Sequence, residues 1–244
     1  DVDKWRQVCV RKNVSQTNGC MDQPLHVLLD AACTQRDASR ELIDALAAVQ
    51  NVDVNEAEAW ADQLRKEVAS PQSDRRIQVM ALVGFVCLAN APLAMGLVDA
   101  SLFDMLASLT NASSNEIETC AMAHLLSEGA SHTALRSKLA TRPSIEHWLS
   151  AHAQSSLTDE RVQVCLDLVR IKFAIGTNKR QHALSLPFDT CKLMFETFCA
   201  FLESASVYEK QELLSFDPAQ VAIADALEGL FYLVSMPALR VALS

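Results

Sequence analysis

The sequence predicts an all-α solenoid, on two observations. Four stretches can be laid over one another: Arg76–Ala91 (RIQVMALVGFVCLANA), Glu116–Ser131 (EIETCAMAHLLSEGAS), Arg161–Gly176 (RVQVCLDLVRIKFAIG) and Gln220–Ser235 (QVAIADALEGLFYLVS). Each has a branched aliphatic at its second position (Ile77, Ile117, Val162, Val221), runs apolar at helical spacing and closes on a small residue. Their starts lie 40, 45 and 59 residues apart, and helical repeats with periods of about 40–47 residues are the signature of armadillo and HEAT arrays. The second observation is the scarcity of helix breakers: 6 Gly and 7 Pro in 244 residues, against 50% hydrophobic content. That balance favours long packed helices over a strand-rich sandwich. The expected architecture is an armadillo- or HEAT-like right-handed superhelix, because one such repeat cannot bury its apolar face without a neighbour. Residues 1–73 read as irregular N-terminal helices and a candidate capping repeat. Residues 74–244 read as armadillo-like repeats, expected to be a fragment of a longer solenoid.

The elements follow in order. Residues 1–21 mix charge, Asn, Gln and Gly and read as a lead-in. A helix is expected from near Pro24 through LHVLLDAAC. Asp37 is placed as the cap of SRELIDALAAVQ, where Leu42, Leu46 and Val49 share a face. Asn55 is placed as the cap of EAEAWADQLRKEVA, whose Trp60, Leu64 and Val68 make a narrow apolar stripe opposite charge. SPQS (70–73) is a connector, with Asp74 as N-cap of the first matched helix. Pro92 starts a short helix, and SLFDMLASLT makes another. NASS (111–114) leads to the second matched helix, followed by HTALRSKLA and, after Pro143, SIEHWLSAHAQ. Residues 156–159 open the third matched helix. GTNKRQHALSLP (176–187) reads as an inserted loop that lengthens the last offset. TCKLMFETFCAFLE is a strongly apolar helix. Residues 208–216 bridge to Asp217 and Pro218, an N-cap followed by a proline at the first helical position.

Composition excludes several classes. A net charge of −9 and a pI near 5.1 argue against nucleic-acid binding, which leans on clustered Lys and Arg. No run of 18 apolar residues occurs, so no membrane partner is expected, and the N-terminal DVDKWRQVCVRKNVSQ is not a signal peptide. Of the eight cysteines, Cys87, Cys120, Cys165, Cys191 and Cys199 lie in apolar helical runs, where a free thiol behaves as a small hydrophobe. No CxxC pair or zinc spacing occurs. Reduced thiols imply an intracellular, cytoplasmic protein, in which the sequons at Asn13 and Asn111 are idle.

Chemistry-bearing patterns are few. Cys120, His124 and Glu128 share one helix face at a spacing metals use, but no second pair accompanies them. His147 and His152 fall off a common face and read as surface residues. Glu56, Glu58 and Asp62 read as a solvated face. GxSxG, P-loop, GxGxxG and HExxH motifs are absent, so no enzyme activity, metal or cofactor is expected.

A protein-binding groove is the remaining candidate site. In armadillo repeats the third helix lines the concave surface, and importin-type peptide carriers place a Trp and an Asn there, one turn apart. In this chain the Trp slot holds Val83, Ala123, Leu168 and Leu227. The Asn slot holds Cys87, Ser127, Lys172 and Phe231. The Trp–Asn array is missing, so extended nuclear-signal peptides are not the expected cargo. Val83, Cys87, Ser127, Leu168, Lys172, Leu227 and Phe231 are the candidate groove residues, in competition with plain packing between repeats at the small ones. Lys172 and Phe231 are expected to be the exposed pair.

The fourth stretch carries a resemblance. The run Ala226-Leu227-Glu228-Gly229-Leu230-Phe231-Tyr232-Leu233, followed by Leu239-Arg240 and Leu243, resembles the Ala-Ile/Val-Glu-Gly-Leu-Ala-Tyr-Leu run of the UCS family of myosin-directed co-chaperones. VCLDLVRIKFAIGTNKRQ is similar to that family's leucine-rich helix and basic linker. The resemblance is strongest over residues 217–244. It implies an armadillo scaffold that helps fold or hold a myosin motor domain, alongside an Hsp90-type chaperone. Animal members dock that chaperone through a tetratricopeptide module, and no 34-residue repeat occurs here. Two other readings remain open: a general armadillo adaptor in a trafficking or regulatory complex, and an Hsp70 nucleotide-exchange factor. Gly229 has its own rationale, since a helical Gly costs about 1 kcal/mol against Ala and fits where another helix comes close.

Overall fold

The computed structural model describes residues 36–49, 54–69, 73–111, 115–154, 159–175, 186–205 and 218–236, with 239 and 241. Eleven helices account for 89% of these residues, and no strand occurs among them. They are α1 (Arg36–Ala47), α2 (Val54–Val68), α3 (Ser73–Ala89), α4 (Ala91–Asp99), α5 (Leu102–Asn111), α6 (Glu116–Ala130), α7 (Thr133–Ala140), α8 (Pro143–Gln154), α9 (Glu160–Ala174), α10 (Phe188–Ala205) and α11 (Pro218–Val234). The fold is all-α. The expected lead-in, the helix near Pro24, the 176–187 loop up to residue 185, the 208–216 bridge and Asp217 lie outside the described residues, as do Cys9, Cys20 and Cys33.

The four matched stretches become α3, α6, α9 and α11, and these pack in chain order: α3 on α6, α6 on α9, α9 on α11. The shorter helices between them keep the same register, with α4 beside α7 and α5 beside α8. α1 packs on α3, and α2 lies against α3, α4 and α5. One hydrophobic core runs through all of these contacts, from Leu42 and Trp60 through Met80, Leu106, Leu125 and Trp148 to Phe198 and Leu233.

Local chemistry sets the joints. Asn90 accepts the Leu93 backbone N–H at 3.0 Å, as N-cap of α4, and donates to the Leu46 and Val49 carbonyls at 3.1 and 3.0 Å at the end of α1. One buried amide thus satisfies orphan groups at two helix termini. Asn115 and Asp159 accept the Ile117 and Arg161 backbone N–H as N-caps of α6 and α9. α4 and α5 meet at 68°, across Ser101, which has φ 61. Arg142 opens α8 by reaching Asp104 of α5 at 3.0 Å and the Val98 carbonyl of α4 at 2.8 Å. Three of the predicted caps move: Asp37, Asn55 and Asp74 lie inside the first turns of α1, α2 and α3. Helix ends commonly lie a residue or two from where the sequence places them.

Gly229 sits where α10 and α11 cross. A Cβ there would lie 2.6 Å from Cζ and 3.1 Å from Cδ2 of the buried Phe198 ring. The expected close approach is present, and an aromatic edge makes it.

Candidate functional site

The structure divides the seven candidate groove residues into two groups. Val83, Cys87, Ser127 and Leu168 are fully buried. They fill the seams of the α3–α6–α9 row, the packing alternative weighed for the small residues. Lys172 corrects an expectation. It is 1% exposed, because α9 is covered on both sides. Its ammonium meets Glu228 of α11 at 2.8 Å and donates to Ser131 Oγ, just past α6, at 3.0 Å. A charge can be buried when it is both paired and hydrogen-bonded. Leu227 and Phe231, by contrast, stand 57% and 68% exposed on the outer face of α11, with Val234 one turn further on.

Lys172 is the centre of a polar seam that joins α6, α9 and α11. His124 of α6 places Nδ1 3.5 Å from Asp225 of α11 and Nε2 3.9 Å from Glu128 on its own helix. Burial alone would hold the imidazole pKa down. The Asp225 carboxylate beside it, with Glu128, outweighs that and raises it. Burial pushes the Glu128 carboxyl up, although His124 and Lys172 pull the other way. Tyr232 of α11 is raised first by burial and then by Glu228. Arg136 of α7 donates at 3.4 Å to the carbonyls of Ala130 and Lys172, in the last turns of α6 and α9. A cation there complements the helix dipoles. Further along the same row, Arg76 of α3 reaches buried Glu118 of α6 through Nη2 at 2.6 Å and Nε at 3.0 Å.

Next to His124, the Cys120 and Cys165 sulfurs lie 3.2 Å apart between α6 and α9. Contact with Cys120, then burial, drives the Cys165 pKa well up, and burial does the same for Cys87, with a contribution from Glu128. Such thiols are protonated and poor nucleophiles. Cys87, Cys120, Cys165, Cys191 and Cys199 are all free. Among the described residues no group of three or more His, Cys, Asp and Glu side chains could hold a metal ion. The imidazole of His124 thus lies between two carboxylates, one on its own helix and one on α11.

No family model, curated protein or solved structure matches this chain. The site is therefore defined by its own geometry. It has two parts: a closed polar seam among three helices and an open apolar stripe on the last of them.

Sequence reasoning found the Cys120–His124–Glu128 face but not its partners, Cys165 and Asp225. These come from helices 45 and 105 residues downstream of Cys120, beyond the reach of local spacing. His152 is a second correction. It is buried rather than superficial, stacked on Trp148 with ring centroids 4.3 Å apart and with Nδ1 2.8 Å from the Trp148 carbonyl. Glu58 and Asp62 do face solvent, and Glu56 is partly covered. Among the described residues no single helix is long and apolar enough to cross a membrane.

Proposed function

We propose that this chain is a non-catalytic protein-binding scaffold of the armadillo type, acting on a myosin motor domain as UCS-type co-chaperones do. The observation that carries the scaffold reading is the side-by-side packing of the four matched helices in chain order, with α4–α7 and α5–α8 repeating beside them. In an armadillo array the third helices form such a row. The choice of client rests on the resemblance of residues 217–244.

The contact surface in this reading is the stripe of Leu227, Phe231 and Val234 on α11, not the buried Lys172. Exposed aromatic and aliphatic side chains one turn apart can hold apolar patches of a partly unfolded client. Holding of this kind needs no nucleotide. The client test is suppression of heat aggregation of a purified myosin motor domain without ATP. Wild type at molar excess is expected to reduce light scattering. Leu227→Ala/Phe231→Ala is expected to lose most of the effect while keeping its thermal midpoint, because both side chains are already in solvent. Unchanged motor aggregation together with absent binding to the motor would remove the myosin assignment.

A further inference from the structure

We propose that Cys120 and Cys165 are an oxidisable dithiol, which a hydroperoxide converts to a disulfide that staples α6 to α9. The two residues occupy the same position, the fifth, of the second and third matched stretches. The row brings these equivalent positions face to face, with the sulfurs 3.2 Å apart. A disulfide bond measures about 2.05 Å, so the sulfurs need approach by only about 1 Å. Both side chains are 0–1% exposed, which keeps the pair from other thiols. Cys191 differs: its sulfur sits 4.0 Å from the Leu186 carbonyl.

The closed state is unreactive, since the partner thiol, burial and Asp225 keep Cys165 protonated. Reaction begins when α6 and α9 part locally and one thiol loses its proton to water. The thiolate attacks the peroxide O–O bond. Sulfur takes one oxygen as a sulfenic acid, and the other oxygen leaves as an alcohol, or as water from hydrogen peroxide. Closure then presses the second thiol against the sulfenic sulfur. The S–S bond forms, the S–O bond breaks and water leaves. Two thiols are oxidised by two electrons, and the peroxide is reduced by two. A thiol reductant reverses the change. The proposal is independent of the scaffold reading.

The test is graded hydrogen peroxide on the full chain, followed by alkylation of remaining thiols, intact mass and non-reducing peptide mapping. The expected result is the loss of two hydrogens per chain, a single linked peptide pair containing Cys120 and Cys165, and a rise in the urea midpoint that dithiothreitol abolishes. Cys120→Ser and Cys165→Ser are each expected to remove the linkage. The mapping on wild type stands even if a variant folds poorly. The same treatment in urea is expected to scatter the linkages, because proximity is then lost. The proposal is overturned if Cys120 and Cys165 stay free at the dose that fully oxidises half-buried Cys199, if they end as separate sulfinic acids, or if the linkage joins other cysteines.

Discussion

At the scale of single residues, Lys172 decides how α6, α9 and α11 meet. Its ammonium is out of water and depends on Glu228 and Ser131. Lys172→Glu places a like charge against Glu228 and is expected to cost about 3–5 kcal/mol, the range for breaking a buried pair. Lys172→Met keeps most of the stem and leaves Glu228 able to reach solvent, so a loss of about 1–2 kcal/mol is expected. Urea denaturation of the two variants checks the ranking, and equal stabilities would refute it. His124 adds a pH dependence. Its folded pKa is raised, so the folded state binds that proton more tightly than the unfolded chain. The contribution is complete below about pH 6.5, the unfolded value, and is lost as pH climbs through the folded one. Glu128, raised by burial, acts with the same sign from its ordinary value of 4.5 upward. The urea midpoint is therefore expected to fall as pH rises from the ordinary Glu value of 4.5 past the ordinary His value of 6.5. His124→Gln should flatten the upper part of that slope, and a midpoint that rises with pH would contradict the assignment. These two residues also mark where the sequence was mute. A lone Lys in a helix is ordinarily a surface residue, and a lone His points neither way. Only the arrival of α11, some fifty residues after Lys172, supplies the carboxylates that bring both inside.

At the scale of helices, two glycines call for opposite outcomes. A Cβ at Gly84 on α3 would meet nothing within 4 Å, so Gly84→Ala is expected to stabilise by about 1 kcal/mol through helix propensity. Gly229→Ala drives a methyl into the Phe198 ring and is expected to destabilise by about 1–3 kcal/mol, the usual cost of overpacking. Thermal melts of both variants give the signs directly. Asn90 is the other lever. Asn90→Asp retains an acceptor for the Leu93 N–H but loses both donors to α1 and buries a charge, so a loss of about 2–4 kcal/mol is expected by denaturant titration. If Asp is as stable as Asn, the clamp on α1 contributes nothing. The helices themselves were largely legible in the sequence. Leu42, Leu46 and Val49, and Trp60, Leu64 and Val68, are buried as their spacing required. The shorter helices start near Pro92 and Pro143 as expected. Period reports which face of a helix is apolar, but it cannot say how many neighbours will cover that face. Equivalent slots therefore part company: Val83 and Leu168 are covered and Leu227 is bare, because α3 and α9 lie within the row while the outer face of α11 has no helix upon it among the described residues.

At the scale of the molecule, α6 touches α11 as well as α9, with His124 and Asp225 at the crossing. Of the residues expected to line a groove, Val83, Cys87, Ser127, Leu168 and Lys172 are buried, and Leu227 and Phe231 on α11 are exposed. The α6–α11 contact also changes how this row of helices should come apart. In a linear array of repeats, each unit couples only to the next, so opening can begin at an end and proceed unit by unit. A contact that reaches past one neighbour ties three units into a loop of mutual dependence. Losing α11 then weakens α6 directly, and partial openings within the trio become rare. Backbone amides in α6, α9 and α11 are expected to exchange with solvent deuterium at one shared free energy, whereas α1 and α2, which pack on α3, α4 and α5 and lie outside the trio's crossing, should open separately. Substituting Asp225 by Ala should split that shared value in two. With Asp225 in place, α6, α9 and α11 are expected to melt as one block, and a single imidazole–carboxylate contact between α6 and α11 sets where unzipping stops.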